Sequence, residues 1–287
     1  MKRAPEPAAS TGIRRRAAEG VGERHELLPG AGGTWLTALL PAGFLLLLVA
    51  IWELAATYTE VPEYILPAPT AIVARLFESW NVLGNATWVT TTEILIGFAV
   101  GVALGIALAI PIAYSDLVRN TLYPLIVASQ AVPKIAVAPL LVLWLGFDLT
   151  PKVVVTALMV FFPVTVTAAE GLSSVDPNLL DLLKSVNASR AQIFFRIRFP
   201  HALPQIFAGL KIGITLAVVG AVVGEWVGAD SGLGYLLVYA NTLLDSTLLF
   251  AALLLLIALG VVLFLIVGVL ERVLLPWHRD RATYLGT

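Results

Sequence analysis

The 287-residue chain has no cysteine, three histidines and two methionines, and Lys, Arg, Asp and Glu make up only 13% of it. Without cysteine it forms neither a disulfide nor a thiolate metal site. So few charges exclude an ordinary water-soluble domain. Also missing is any G-x-x-x-x-G-K-[ST] run, so the chain has no phosphate cradle of its own for ATP. There is no H-E-x-x-H, and His25, His201 and His278 are scattered. No catalytic, cofactor-binding or metal-binding residue is assigned, no cofactor is expected, and no nucleic-acid partner is expected. The net charge of −1 says little alone. In a membrane chain, the loops that hold Lys and Arg carry the information.

What is present is apolar. Hydrophobic residues make up 59% of the chain and the mean hydropathy is +0.90. A membrane span takes about 20 such residues, which leaves room for about six spans. The fold class expected is an all-α integral membrane protein.

Residues 1–33 are rich in Ala, Gly and Pro, carry Arg14, Arg15 and Arg16 in a row, and show no apolar period. They read as a disordered, basic cytoplasmic tail. A signal peptide is disfavoured because the following run, Trp35 to Tyr58, is too long and starts too far in. Pro67 and Pro69 then hold the chain extended, and Thr70 is placed to cap a short helix. Ile72, Val73, Leu76, Phe77 and Trp80 share one face of it, as in a helix lying at the membrane interface.

The second span, about 87–113, carries Gly97, Gly101 and Gly105, a small-residue stripe that lets another helix come close. The third, about 117–147, is expected to be broken by Pro124, Pro133 and Pro139, and the fourth, about 152–169, contains Pro163. The fifth, about 203–227, has Gly209 and Gly213, then Gly220, Gly224 and Gly228. A loop with a short helix follows, and the sixth span runs from about 247 to 270.

Between the fourth and fifth spans lies a polar island, Ser173 to His201. Asp176 before Pro177 is an N-cap followed by a residue pre-set for the first helical position. Leu179, Leu180, Leu182, Leu183 and Val186 have helical spacing. Asn187 is the natural stop, because Asn tolerates the left-handed conformation at a helix end. Ser189 with Gln192 is a capping box that starts a second helix, expected to run until Pro200 ends it. This apolar yet basic helix–turn–helix wants a protein partner.

The island resembles the cytoplasmic loop of ATP-binding-cassette (ABC) importer permeases, which has the pattern EAA-x3-G-x9-I-x-LP. The chain has Asp181-Leu182-Leu183, three residues, Asn187, nine residues, then Ile197-Arg198-Phe199-Pro200. The spacing matches throughout. Asp replaces Glu, two Leu replace Ala, Asn replaces Gly and Phe replaces the last Leu. The similarity extends from about Trp35 to His278.

The resemblance implies a type I importer permease fold with a coupling loop at 173–201, set in a permease domain of 34–278 and followed by a cytoplasmic tail at 279–287. It implies two copies of a cytoplasmic ABC ATPase, an extracytoplasmic solute-binding protein, a homodimer of the permease and contact with membrane lipid. The residues it marks for ATPase coupling are Asp181, Leu182, Leu183, Asn187, Ile197, Phe199 and Pro200. Leu66-Pro67-Ala68-Pro69 looks like a segment of permeases for sulfonates, nitrate and thiamine precursors. The stretch from Gly224 to Leu237 and the following Leu243 to Leu253 look closest to permeases for riboflavin or the thiamine-precursor pyrimidine.

Charge sets the expected topology. With six spans and both termini inside, the cytoplasm holds Lys2, Arg3, Arg14, Arg15, Arg16, Arg24, Arg119, Lys184, Arg190, Arg196, Arg198, Arg272, Arg279 and Arg281, and the outside holds Arg75 and Lys152. The expected location is the bacterial plasma membrane. Lys134, Lys211, Glu93 and Glu225 fall in or near spans, where an ionisable group costs roughly 2.5–3.5 kcal/mol unless paired or hydrated. Glu225 and Lys134 are candidates for translocation or gating, with the bland alternative that both reach the interface.

Two other classes compete. An ion-coupled secondary transporter needs a midplane ion site and an inverted repeat, and no repeat is visible. A membrane enzyme needs convergent polar groups within the spans, which are sparse. ATP hydrolysis is expected in a separate subunit.

Overall fold

The computed structural model of the protein describes residues 34–59 and 61–276. The expectations for the 1–33 and 279–287 tails fall outside them. The chain divides into two units, Met1–Ile51 and Trp52–Thr287. In the first, the described residues are helical. They belong to α1, Thr34–Tyr58, which runs on into the second unit.

Within the second unit, helix α2 (Pro69–Glu78) is capped from outside itself. Thr70 donates its N–H to Glu53 Oε2 at 3.0 Å and its hydroxyl to Oε1 at 2.7 Å. Thr70 is therefore not the cap. Ala68 holds the cap position with no side-chain bond, and a carboxylate from the end of α1 meets the free N–H groups instead. The expected single apolar face of α2 is also divided. Ile72 is buried, whereas Val73, Phe77 and Trp80 point outward.

Helix α3 (Trp80–Tyr114) is one unbroken span. Ser115 leaves it in extended conformation and its side chain caps α4 (Asp116–Ser129). The run expected as the third span is two short helices, α4 and α5 (Lys134–Leu145), bent by 93°. Of its three prolines only Pro133 lies at the break; Pro124 and Pro139 sit inside helices.

Helix α6 (Leu149–Ser173) is the buried centre, gripped between α3 and α9 (Phe199–Gly228). The glycine stripes explain how. A Cβ on Gly101 would lie 2.7 Å from the Ala157 carbonyl and the Val160 side chain. From α9, a Cβ on Gly220 would lie 2.7 Å from the Thr156 Cα, and one on Gly224 would lie 3.0 Å from the Lys152 Cα. Such close approach replaces the hydrophobic drive that lipid removes.

Two short helices, α7 (Pro177–Ser185) and α8 (Arg190–Ile193), lead into a π-helical turn, Phe194–Arg198, and then directly into α9. Pro200 does not end a helix, contrary to the sequence expectation. The π turn widens the chain just ahead of it, with Phe199 N–H bonding to Phe194 O five residues back. That shift of register removes the clash a proline ring makes with a regular helix, so the helical path continues. Helix α10 (Leu233–Thr242) and α11 (Ser246–Leu274) complete the chain, and Asp245 caps α11 through Leu248 N–H. Among the described residues five helices are long and apolar enough to cross a membrane, or up to six if the bent α4–α5 pair is one span.

Candidate functional site

The helix–turn–helix is built from two caps set back to back. Asp176 accepts from Asn178 N–H at 2.8 Å and starts α7. At its far end Asn187 has φ 57°, in the left-handed region. Asn187 N–H bonds to Lys184 O and Ala188 N–H to Leu183 O, each at 3.0 Å. This pair of bonds is the Schellman arrangement, which satisfies carbonyls that the helix end leaves free. The capping box follows at once: Ser189 N–H donates to Gln192 Oε1 at 2.7 Å, and Gln192 N–H to Ser189 Oγ at 3.2 Å. The turn is thus fixed by its own backbone.

Helix α7 buries none of its residues. Leu182 and Val186 are 61% and 67% exposed, and Phe195 beyond the turn is 68% exposed. Large apolar side chains left bare together mark a surface that another protein or a membrane covers. A concavity of about 310 Å³ lies in the elbow, lined by Leu183, Val186, Asn187, Ile193, Arg196 and Ile197 among others. Asp181 is exposed and pairs with Lys184 at 2.8 Å, a contact that water screens. Phe199 packs against Phe194, with ring centres 5.9 Å apart, and Pro200 occupies the first turn of α9.

A second polar constellation lies inside the helical bundle. Lys152 Nζ is 2.9 Å from Glu93 Oε1, with side-chain exposures of 7% and 1%. Thr90 donates its hydroxyl to Glu225 Oε1 at 2.6 Å and accepts from Leu233 N–H at 2.8 Å. Gly234 N–H donates to the other oxygen of Glu225. One carboxylate therefore receives the start of α10 and joins it to α9 and α3. The close approach demands glycine. A Cβ on Gly234 would lie 2.6 Å from Glu225 Oε2, and Gly232, at φ 109°, has no room for one.

The structure adds what the sequence left open. Glu93 and Glu225 face neither solvent nor lipid; both are about 1% exposed. Lys152, counted among the outer charges, lies in the first turn of α6 and is buried. The signal was available: Asp148 stands at the helix cap and Pro151 in the first turn, so α6 begins before Lys152. What the sequence does not disclose is that Glu93, fifty-nine residues away, meets it. Lys134 is apart from Glu225 and its partners, half-buried with Nζ 4.8 Å above the Phe162 ring and 3.4 Å from the Gln130 carbonyl. Lys211 pairs with Glu271.

Comparison with known proteins gives these features a setting. Residues 101–275 match the family described as binding-protein-dependent transport system inner membrane component. The formylaminopyrimidine transport permease of Halalkalibacterium halodurans is 40% identical over 245 residues, covering 85% of this chain and 98% of that protein. The riboflavin transport system permease of Chloroflexus aurantiacus is 36% identical over 246 residues, covering 85% and 91%. In fold, the chain is similar to an inward-facing methionine ABC transporter, with a TM-score of 0.60 at 17% identity, covering 69% of this chain and 98% of that one. The chain belongs to the binding-protein-dependent inner-membrane component family and is the permease, non-catalytic part of an ABC transporter.

Proposed function

We propose that this permease imports riboflavin or a thiamine-precursor pyrimidine across the bacterial plasma membrane. The observation that carries the cargo is the near full-length similarity to permeases named for those two solutes. Two copies form a homodimer, an extracytoplasmic binding protein delivers solute, and two ATPase subunits dock on the helix–turn–helix. Asp181, Leu182, Leu183 and Asn187 on α7 and its cap, with Ile197, Phe199 and Pro200 at the start of α9, form the coupling element. The bare apolar face of α7 supports that docking.

Closure of the ATPases on ATP draws the loops together and turns the spans toward the outside; hydrolysis resets them. The cycle needs each ligand to favour one state over the other. Glu225 serves the outer gate, because its carboxylate holds α10 to α9 and α3. Lys134, beside the sharp bend between α4 and α5, borders the path. The loop and both termini are cytoplasmic and the permease domain spans 34–278. With Lys152 buried, Arg75 is left as the outer-side cation, and it is held by Asp245 at 2.7 Å.

The test is uptake into proteoliposomes holding the permease, its ATPase and its binding protein. ATP-dependent accumulation of labelled riboflavin or formylaminopyrimidine is expected, and none without the ATPase. Accumulation driven by an ion gradient, with the permease alone, would make it a secondary transporter. ATP-driven uptake of taurine, another sulfonate or nitrate would keep the permease and replace its cargo.

A further inference from the structure

Arg198 is the unspecified residue of the Ile197-Arg198-Phe199-Pro200 run, and it closes the π-helical turn. Its Nη1 donates to the Ala113 carbonyl at 3.0 Å and, more weakly, to the Leu172 carbonyl at 3.4 Å. Both acceptors lie in the last turns of long helices, Ala113 in α3 and Leu172 in α6. Carbonyls there have no partner within the helix and carry the negative end of its dipole. A guanidinium is the side chain suited to collect two of them at once. Its carbon also stands 4.6 Å from the centre of the Tyr114 ring, the final residue of α3.

Among the described residues, the hydrogen bonds from residues 190–198 to α3 and α6 both come from Arg198. Around them the joint is apolar: Phe194 and Phe199 pack in one cluster with Ala113 and Leu172, and the Phe194 and Tyr114 ring centres are 6.2 Å apart. Stacked apolar surfaces slide; a forked hydrogen bond fixes position. Two further observations set this residue apart from ordinary packing. Its Nε is buried with no acceptor among the described residues, a cost that native structures seldom carry without cause. And π turns are rare and frequently mark functional positions.

We propose that Arg198 is the positioning residue through which movement of the helix–turn–helix reaches the ends of α3 and α6. Helix α6 is the element gripped by the glycine stripes of α3 and α9, so shifting its end shifts the centre of the bundle. The inference rests on the docking of an ATPase on the exposed face of α7 proposed above, and adds the route by which that docking is felt.

The test uses the complete transporter, permease with ATPase and binding protein, in proteoliposomes. Arg198→Lys keeps the charge but loses the planar guanidinium that stands over Tyr114, and Arg198→Gln loses both. In each, ATPase co-purification and ATP hydrolysis should stay near wild type. Uptake per ATP should fall about tenfold, within the range by which coupling residues modulate a transition. Tyr114→Leu should lower the same ratio by a smaller factor, and Tyr114→Phe should restore it. These two remain informative if an Arg198 variant fails to insert. Unchanged uptake per ATP in the Arg198 variants, or in Tyr114→Leu where those do not insert, would overturn the proposal. So would a proportionate fall of hydrolysis and uptake together, which marks a docking or folding defect. If the wild-type permease retains no ATPase, the docking reading fails first. If it retains the ATPase and the variants couple normally, only the role of Arg198 is lost.

Discussion

Asn187 shows how much one backbone angle carries. Its φ of 57° lets Lys184 and Leu183 give their carbonyls to the next two N–H groups, and the capping box at Ser189 begins where that turn ends. A left-handed conformation costs an ordinary residue roughly 1–2 kcal/mol and a β-branched one more. Asn187→Gly should be neutral. Asn187→Val should tilt α7 and lower both ATPase co-purification and uptake, while the protein still inserts in the membrane and dimerises. Co-purification of the ATPase with each variant is the measurement, and a Val variant that binds and transports like wild type would remove Asn187 from the coupling turn. That turn was legible because caps are local: every group in it lies within five residues of its partner. The Lys152–Glu93 pair was not, because no residue near either names the other. Burial of both follows only from how α3 lies on α6. Removing one partner of such a pair leaves an unmatched buried charge, so changing Lys152 or Glu93 alone should destabilise the fold.

At the scale of elements, spacing in the sequence read through to packing wherever glycine recurs every fourth residue. Gly97, Gly101 and Gly105 face α6, and Gly220 and Gly224 bring α9 onto the same helix. The Gly101 position allows a sharp comparison. A methyl group there would press on the Ala157 carbonyl and on Val160, both at 2.7 Å, and a backbone carbonyl does not give way. Gly101→Ala should therefore destabilise the folded permease by about 1–3 kcal/mol, the cost of overpacking. Gly84→Ala, whose methyl would meet only the edge of Trp80 at 3.7 Å, should be neutral or gain the helix propensity of alanine. Thermal unfolding in detergent reads both, and equal effects would show that the stripe does not set the approach of α3 to α6. Where the sequence misled, proline was the cause. Three prolines predicted breaks in the third span, yet Pro124 and Pro139 sit within α4 and α5. Pro200, expected as a stop, follows a π turn in which Phe199 N–H reaches back to Phe194 O, and the helical path continues through it. Proline reports a freed carbonyl, not the answer the fold finds for it.

For the whole molecule the open quantity is orientation, and the charges argue it. Lys and Arg gather on the side of the helix–turn–helix, where Lys184, Arg190, Arg196 and Arg198 lie within fifteen residues of one another. The α2 and α10 side keeps Arg75, and Asp245 neutralises it at 2.7 Å. Retention of Lys and Arg in the cytoplasm then predicts α7 inside and the turn between α10 and α11 outside. The natural absence of cysteine makes the test clean, because a single introduced thiol is the only reactive one. Ser185 at the end of α7 and Thr242 at the end of α10 are both exposed, so Cys at either should accept a reagent that can reach it. In intact cells expressing the permease without its ATPase, a membrane-impermeant maleimide should label Thr242→Cys and spare Ser185→Cys. After permeabilisation both should react, which shows that Ser185→Cys was shielded by the membrane and not by the protein. The reverse pattern would invert the molecule. It would move the docking surface out of the ATPase's compartment and end the proposed coupling at that loop, whatever the cargo.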